Sequence, residues 1–200
     1  MSNYRIILAS ASPSRKRLLE SVGVEPEIIV SGVDEESPEL LALAPREMVI
    51  ALAILKAHTV KASVNPENAL IIGCDSTFEF DGKNLGKPLT AENAIARAKA
   101  MRGKSGYLHT GHCVIDTRGG YEVSDLSTSK VTFADMSDEE IENYVATGEP
   151  LNVAGGFTLD GFSAPFITHI DGDPSGIIGL SLPTLRKIII NLGLKWSDLA

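Results

Sequence analysis

The first half of the chain alternates short apolar runs with helical segments, which is typical of α/β proteins. The apolar runs predict buried strands at Arg5–Leu8, Glu27–Val30, Ala69–Cys74 and Thr77–Phe80. A helix is predicted after the first run, because Ser12 suits the N-cap, Pro13 suits the first turn and Gly23 suits the end. A longer helix is predicted from Pro45 to about Lys61, and the acidic stretch 31–40 before it predicts a loop.

The second half predicts a hairpin between helices. The predicted elements are a helix over Ala91–Met101, two long strands over Tyr107–Asp116 and Tyr121–Phe133, a helix opened by the capping box Ser137–Glu140, and a final helix from Ser181. The Gly-rich stretch 154–179 predicts turns and short strands. Together these elements predict a mixed, twisted sheet flanked by helices, in a single domain over residues 1–200 or in two joined lobes with a cleft between them.

Composition and charge favour a soluble, cytoplasmic protein. The 200 residues are 44% hydrophobic and carry a formal net charge of −8, which argues against broad binding of nucleic acid. The N-terminal stretch lacks the apolar core of a signal peptide, and no run is long enough to span a membrane. An acidic protein can still bind one nucleotide where its cations cluster.

The segment Ser10–Lys16 is the first candidate for such a cluster. It joins a predicted strand to a helix N-terminus, where free backbone N–H groups favour an anion. Arg15 precedes the apolar positions Leu18 and Leu19 by three and four residues, so it points along the core-facing side of the helix. Its partner there is either a bound phosphate or a nearby carboxylate.

Carboxylates and lysines supply the other candidates. Asp34, Glu35 and Glu36 either hold Mg²⁺ or form a solvated acidic loop. Asp75 directly follows a predicted strand, at the end where α/β sheets place their sites, and is either a cap or a catalytic base. Lys56 and Lys87 either reach a phosphate or are solvated surface charges.

Several familiar motifs are absent or unconvincing. The chain has neither GxGxxG nor GxxxxGK[ST], which argues against a Rossmann dehydrogenase and a P-loop kinase. His109 and His112 lie near Cys113, but a spacing of three on a strand puts the two histidines on opposite faces, which does not favour a zinc site. Ser10 lies outside any GxSxG elbow, so it is not predicted to be a hydrolase nucleophile.

Six ordered segments together resemble the Maf family of nucleotide pyrophosphatases. They are ILASASPSRKRLLESVG, SGVDEE, IIGCDST, DGKNLGKP, SDEEIENYVATGEPLNVAGGF and IDGDPSGIIGLSLP, and they extend over almost the whole chain. The resemblance implies a fold similar to inosine triphosphate pyrophosphatase and a homodimer. It also implies hydrolysis of a nucleoside triphosphate to the monophosphate and pyrophosphate, with a divalent metal such as Mg²⁺ or Mn²⁺.

The resemblance also assigns roles to individual positions. The residues it implies are Ser10 and Arg15 for phosphate, Asp34 and Glu35 for metal, Lys56 and Lys87 as the helix and loop lysines, and Asp75 as general base. A nucleotide-binding regulator of cell division, without significant turnover, is the alternative function for the same site.

Three further positions match those that select the base in this family. They are Ser14, Ser76 and Asp160, and at each the chain departs from the branch that prefers pyrimidines. An ionised Asp160 accepts hydrogen bonds only, and guanine offers two donors on one edge. We therefore expect guanine-type or modified purine triphosphates to be preferred over dTTP and UTP.

Overall fold

Seven strands form one sheet in the computed structural model, which describes residues 4–199. The strands are β1 (Arg5–Leu8), β2 (Glu27–Ile28), β3 (Ala69–Phe80), β4 (Lys83–Leu85), β5 (Ser105–Asp116), β6 (Tyr121–Phe133) and β7 (Ile167–Asp171). Their order is β2-β1-β3-β5-β6-β7, and β4 pairs with β3. β1 runs parallel to β2 and β3, whereas the other pairings are antiparallel. The prediction of a mixed sheet is confirmed.

Helices cover both faces of this sheet. They are α1 (Pro13–Ser21), α2 (Pro38–Leu41), α3 (Pro45–Val64), α4 (Ala91–Met101), α5 (Asp138–Ala146), α6 (Pro174–Ile178) and α7 (Leu182–Asn191). Short 3₁₀ turns occur at 149–152, 154–156, 164–166 and 196–198. The predicted cap at Ser12 is confirmed, and both hydrogen bonds of the capping box between Ser137 and Glu140 are present.

Alternate residues of β3 enter different cores. Leu70, Ile72 and Cys74 pack in a core with α1 and α7, whereas Ile71 packs with α3 on the other face. α3 lies unusually close to the sheet, because a Cβ on Gly73 would collide with the carbonyl oxygen of Ala53. Glycine at this position therefore lets α3 approach the strand and brings the next turn of the helix, with Lys56, beside the end of the apolar run.

The structure corrects one strand boundary that matters for the site. The sequence predicts separate strands over Ala69–Cys74 and Thr77–Phe80, with Asp75 after the end of the first. Instead, β3 continues through Asp75, which pairs with Gly111 of β5. Asp75, Ser76 and Thr77 interrupt the hydrophobic pattern without ending the strand, because the backbone, not the side chains, makes the hydrogen bonds to β5.

Other boundaries differ by a few residues. Within 31–40, where the sequence predicts only loop, Pro38–Leu41 forms the short helix α2. The predicted strand Glu27–Val30 is reduced to Glu27–Ile28, and α3 continues to Val64, where Asn65 in a left-handed conformation ends it. In the Gly-rich stretch, Asp173 caps the unpredicted helix α6 by accepting two backbone N–H groups.

In the described residues, no helix is long and apolar enough to cross a membrane. The first three residues of the N-terminal stretch, which bear on the expectation of no signal peptide, lie outside the described residues.

Candidate active site

An open stretch on one edge of β3 defines the candidate site. β1 pairs with β3 only as far as Ile72, and β4 begins to pair at Phe78. Residues 73–77 therefore have β5 on one side and, within residues 4–199, no strand on the other. The gap lies beyond the carboxyl end of β1, which is where ligands bind in open α/β sheets.

One side of the gap carries an ammonium group between two carboxylates. Lys56 Nζ, from α3, lies 2.7 Å from Asp75 Oδ1 and 2.7 Å from Glu35 Oε1. The Lys56 and Asp75 side chains are only 6% and 11% exposed, whereas that of Glu35 is 47% exposed. Burial raises the pKa of the Asp75 carboxyl above its ordinary value, and the nearby Lys56 and Arg15 cations oppose that rise.

The other side of the gap carries a buried guanidinium. Arg15 Nε donates to the carbonyl oxygen of Gly179 (2.7 Å), Nη1 to Ser10 Oγ (2.9 Å) and Nη2 to Ser76 Oγ (3.1 Å). Of the two sequence interpretations, the carboxylate partner is not found: no carboxylate oxygen of residues 4–199 lies within 4.0 Å of this guanidinium. All three acceptors are neutral, so the positive charge of Arg15 has no counter-ion in direct contact.

Ser10 adds a donor beside Arg15. Its Oγ accepts hydrogen bonds from Arg15 Nη1 and, at 3.2 Å, from the backbone N–H of Ser12. A hydroxyl has one proton and two lone pairs, so both lone pairs are used and the proton remains. Within the described residues, no hydrogen bond takes up that proton, which leaves Ser10 able to donate to a ligand.

The two sides of the gap belong to opposite faces of the sheet. Successive side chains of a strand alternate, so Asp75 lies on the face of α3 and Ser76 lies on the face of α1. The strand edge between them is open, and the Arg15 charge acts on the Asp75 carboxyl across it. The candidate site therefore extends around the free edge of β3.

Ser14 and Asp160 meet in a separate group near the start of α1. Arg17 Nη2 lies 3.0 Å from Asp160 Oδ2 and 2.9 Å from Ser14 Oγ, and Ser14 Oγ lies 3.4 Å from the same carboxylate oxygen. Asp160 is therefore paired with a cation. The sequence reasoning missed Arg17, although it stands three residues after Ser14 and so on the same side of the helix.

Two predicted residues do not join these groups. Asp34 is exposed, and its Oδ1 accepts the backbone N–H of Glu36. Lys87 is exposed on the segment after β4 and forms no ion pair with residues 4–199. Of the residues assigned to phosphate, metal, catalysis and base, the structure brings together Ser10, Arg15, Glu35, Lys56, Asp75 and Ser76.

The histidines near Cys113 take part in separate buried contacts. His109 lies 3.0 Å from Glu79 and 2.9 Å from Thr128, whereas His112 Nε2 accepts the backbone N–H of Ser181. Burial lowers the pKa of His112 to about 4, so its ring is neutral at physiological pH. Thr110, which directly follows His109, contacts Ser76 and was missed by the sequence reasoning.

Comparison with known proteins gives matches over nearly the whole chain. The family model described as Maf-like protein matches residues 5–192. A protein of Streptomyces coelicolor is 53% identical over 195 residues, covering 98% of this chain and 94% of that protein. Proteins of Salinispora tropica and Nostoc punctiforme are 48% and 46% identical, covering 98% and 96% of this chain and 87% and 95% of their own lengths. All three are named nucleoside triphosphate pyrophosphatase.

Among solved structures, a nucleoside-triphosphatase (dITP/XTP pyrophosphatase) from Mycobacterium abscessus matches with 19% identity and a TM-score of 0.40. The match covers 66% of this chain and 74% of that chain. The family match extends from β1 to the end of α7 and includes both sides of the gap in β3. The chain belongs to the family of Maf-like proteins.

Proposed function

We propose that this protein hydrolyses a nucleoside triphosphate to the monophosphate and pyrophosphate at the open edge of β3. The relatives at 46–53% identity carry the name of that activity. The observation that carries the proposal is the buried Arg15, whose contacts are all neutral. Buried charges in proteins are normally paired, so this one calls for an anionic ligand.

A polyphosphate suits the groups around the gap. Arginine binds phosphate oxygens through paired N–H donors, and Ser10 offers its remaining hydroxyl proton beside it. Lys56 supplies a second buried cation on the other side of the strand edge. Cleavage of a triphosphate depends mainly on positioning and on neutralising charge, and both cations serve that purpose.

Asp75 is the proposed general base. Its Oδ1 accepts from Lys56, and no hydrogen bond within residues 4–199 engages its Oδ2, which is left to orient a water molecule and take its proton. A carboxylate in a dry site is a stronger base than one in water, because burial raises its pKa. General-base help is typically worth about 10²–10⁴-fold in rate.

The carboxylates of this site fit a divalent metal with few protein ligands. Glu35 and Asp75 contact the same ammonium, so their oxygens are separated by no more than twice its 2.7 Å contact distance. The described part of the chain holds no group of three His, Cys, Asp or Glu side chains suited to a metal. Mg²⁺ and Mn²⁺ accept one or two carboxylates and take water and phosphate oxygens for the rest. Glu35 would hold such an ion, which would help to neutralise the charge of the phosphates.

The remaining roles stay predictions that the resemblance supports. Asp34 accepts the backbone N–H of Glu36 through Oδ1 and would bind the metal through its other carboxylate oxygen. Lys87 would bind a phosphate from its exposed loop. The homodimer, the cytoplasmic location, the division into one domain or two lobes, and the lack of nucleic-acid binding are predictions of the same kind.

Product analysis tests the proposed function. The protein is incubated with each common nucleoside triphosphate and Mg²⁺, and the mixture is separated by ion-exchange chromatography. We expect equal amounts of monophosphate and pyrophosphate. Release of diphosphate and single phosphate would contradict the proposal, and tight binding with intact nucleotide would favour a regulator that binds without turnover.

A further inference from the structure

A chain of hydrogen-bonded hydroxyl groups holds Ser76, one of the acceptors of the Arg15 guanidinium. Ser76 Oγ, which accepts from Arg15 Nη2, lies 2.9 Å from Thr110 Oγ1. Thr110 Oγ1 in turn lies 2.8 Å from the carbonyl oxygen of Gly176. Thr110 is only 1% exposed, so water cannot substitute for these partners.

The protons of this chain can point in only one direction. A carbonyl oxygen accepts and never donates, so the single proton of Thr110 goes to Gly176. Thr110 must then accept from Ser76, which uses up the single proton of Ser76. Ser76 is left with lone pairs only, and one of them receives Arg15 Nη2. Thr110 thus fixes Ser76 as an acceptor for the guanidinium.

Thr110 also secures the second contact of the same guanidinium. Gly176 belongs to α6, and Gly179 directly follows that helix. The carbonyl oxygen of Gly179 accepts Arg15 Nε at 2.7 Å. A single buried hydroxyl on β5 therefore ties together two of the acceptors that orient Arg15, although Thr110 itself makes no hydrogen bond to Arg15 within residues 4–199.

We propose that Thr110 is a positioning residue for phosphate binding, acting on Arg15 through Ser76 and through α6. The inference rests on the proposed function, in which Arg15 binds the phosphates. Without the Thr110 hydroxyl, the Ser76 proton is free to turn toward the guanidinium, where a donor meets a donor. Arg15 is then held less firmly, because one of its three acceptors is no longer fixed, and a phosphate must restore that order on binding.

The test measures binding of pyrophosphate with Mg²⁺ by calorimetry, beside steady-state kinetics with a triphosphate. Thr110→Val removes the hydroxyl and keeps the shape, and we expect it to weaken pyrophosphate binding and raise KM about tenfold, the scale of one hydrogen bond to a charged group. Thr110→Ser keeps the hydroxyl and should bind within about threefold of wild type. Thr132→Val is the matched control, because Thr132 of β6 contacts Ser105 of β5 in a hydroxyl pair that involves no residue of the site, and it should bind like wild type.

Combining substitutions at Thr110 and Ser76 distinguishes a positioning role of Thr110 from a general loss of structure. Ser76→Ala breaks the same chain of hydrogen bonds as Thr110→Val. The variant that carries both substitutions should therefore lose less pyrophosphate affinity than the product of the two single fold-losses. Independent losses would overturn the proposal, as would weak binding by Thr110→Ser. If Thr110→Val does not fold, Ser76→Ala alone decides, because unchanged pyrophosphate binding in that variant contradicts a chain that begins at Ser76.

Failure of the proposed function would look different. Arg15→Lys tests the phosphate site itself. If this variant binds pyrophosphate as tightly as the wild type, Arg15 does not bind the phosphates, and the positioning role of Thr110 is rejected as well. A wild-type protein that binds pyrophosphate through Arg15 without hydrolysing triphosphates would reject the proposed activity. The positioning role of Thr110 would then still be decided by the binding measurements.

Discussion

Lys56 donates a hydrogen bond to Asp75 across 2.7 Å, and both side chains are almost completely buried at the open edge of β3. Removing one partner of a buried ion pair leaves the other charge uncompensated and is strongly destabilising. Glu35 contacts the same ammonium from the solvent side, with 47% of its side chain exposed. Substitutions here must therefore preserve shape and hydrogen bonding if they are to report on chemistry.

Asp75→Asn meets that requirement, because the amide oxygen can still accept from Lys56. We expect kcat to fall by at least about 10²-fold, with little change in nucleotide binding, since the variant cannot take a proton from water. Steady-state kinetics beside a thermal melt makes the measurement. Asp116→Asn is the control, a buried carboxylate at the end of β5 that pairs with Leu70 of β3. A near-normal kcat for Asp75→Asn would remove Asp75 from the mechanism.

The rate should depend on pH through Asp75. A general base works only when ionised, so kcat/KM should decline as the pH falls through the pKa of this carboxyl in the folded protein. Burial raises that pKa, so the decline should begin at a higher pH than for an ordinary aspartate. A pH profile of the wild type, with folding checked at each pH by circular dichroism, gives the result. An activity that stays constant down to the ordinary aspartate pKa would contradict the role.

Activity should require a divalent metal, and Glu35 should matter more to it than Asp34. Glu35 contacts the Lys56–Asp75 pair, whereas Asp34 is turned to the backbone N–H of Glu36. We expect Glu35→Gln to raise the Mg²⁺ concentration for half-maximal rate at least about tenfold, since even outer partners of a metal site cost about 10–100-fold. Glu36→Gln, on the exposed neighbour, is the control. Full activity in excess EDTA would exclude the metal.

Base preference should depend on the pair of Asp160 and Arg17. We expect guanine-type or modified purine triphosphates to be preferred over dTTP and UTP, and Asp160→Gln to shift kcat/KM toward the pyrimidines by roughly 5- to 150-fold. The same variant frees Arg17, whose Nη2 lies 3.0 Å from Asp160. Glu20→Gln breaks a surface ion pair with Lys16 on the same helix and should leave the preference unchanged. A wild-type preference for dTTP or UTP would refute the argument.

Local signals were sufficient for most elements of the fold. The start of α1 at Ser12 and Pro13, the helix Ala91–Met101 and the capping box at Ser137 all agree with the structure. Each depends on side chains within one or two turns of the backbone, so each is written in a short segment of sequence. The α/β class follows from the order of these elements in the same way.

The residue types of the site were also readable from the sequence, but their partners were not. Asp75 was expected after the end of a strand, because the hydrophobic run stops there, yet β3 continues by pairing with β5. Thr110 gave no signal of its own, since an isolated threonine is common in strands. Its importance comes from contacts 34 residues away with Ser76 and 66 residues away with Gly176.

By itself, the sequence determined the elements of this protein, its family and most of the charged groups that its site uses. Only the tertiary structure decided which of those groups meet. Gly73 lets α3 lie against β3, so that Lys56 reaches Asp75, and the end of β1 leaves open the strand edge that has Arg15 on one side and Lys56 on the other. Such contacts join distant segments through packing and strand pairing, and no local pattern of residues encodes the distance between them.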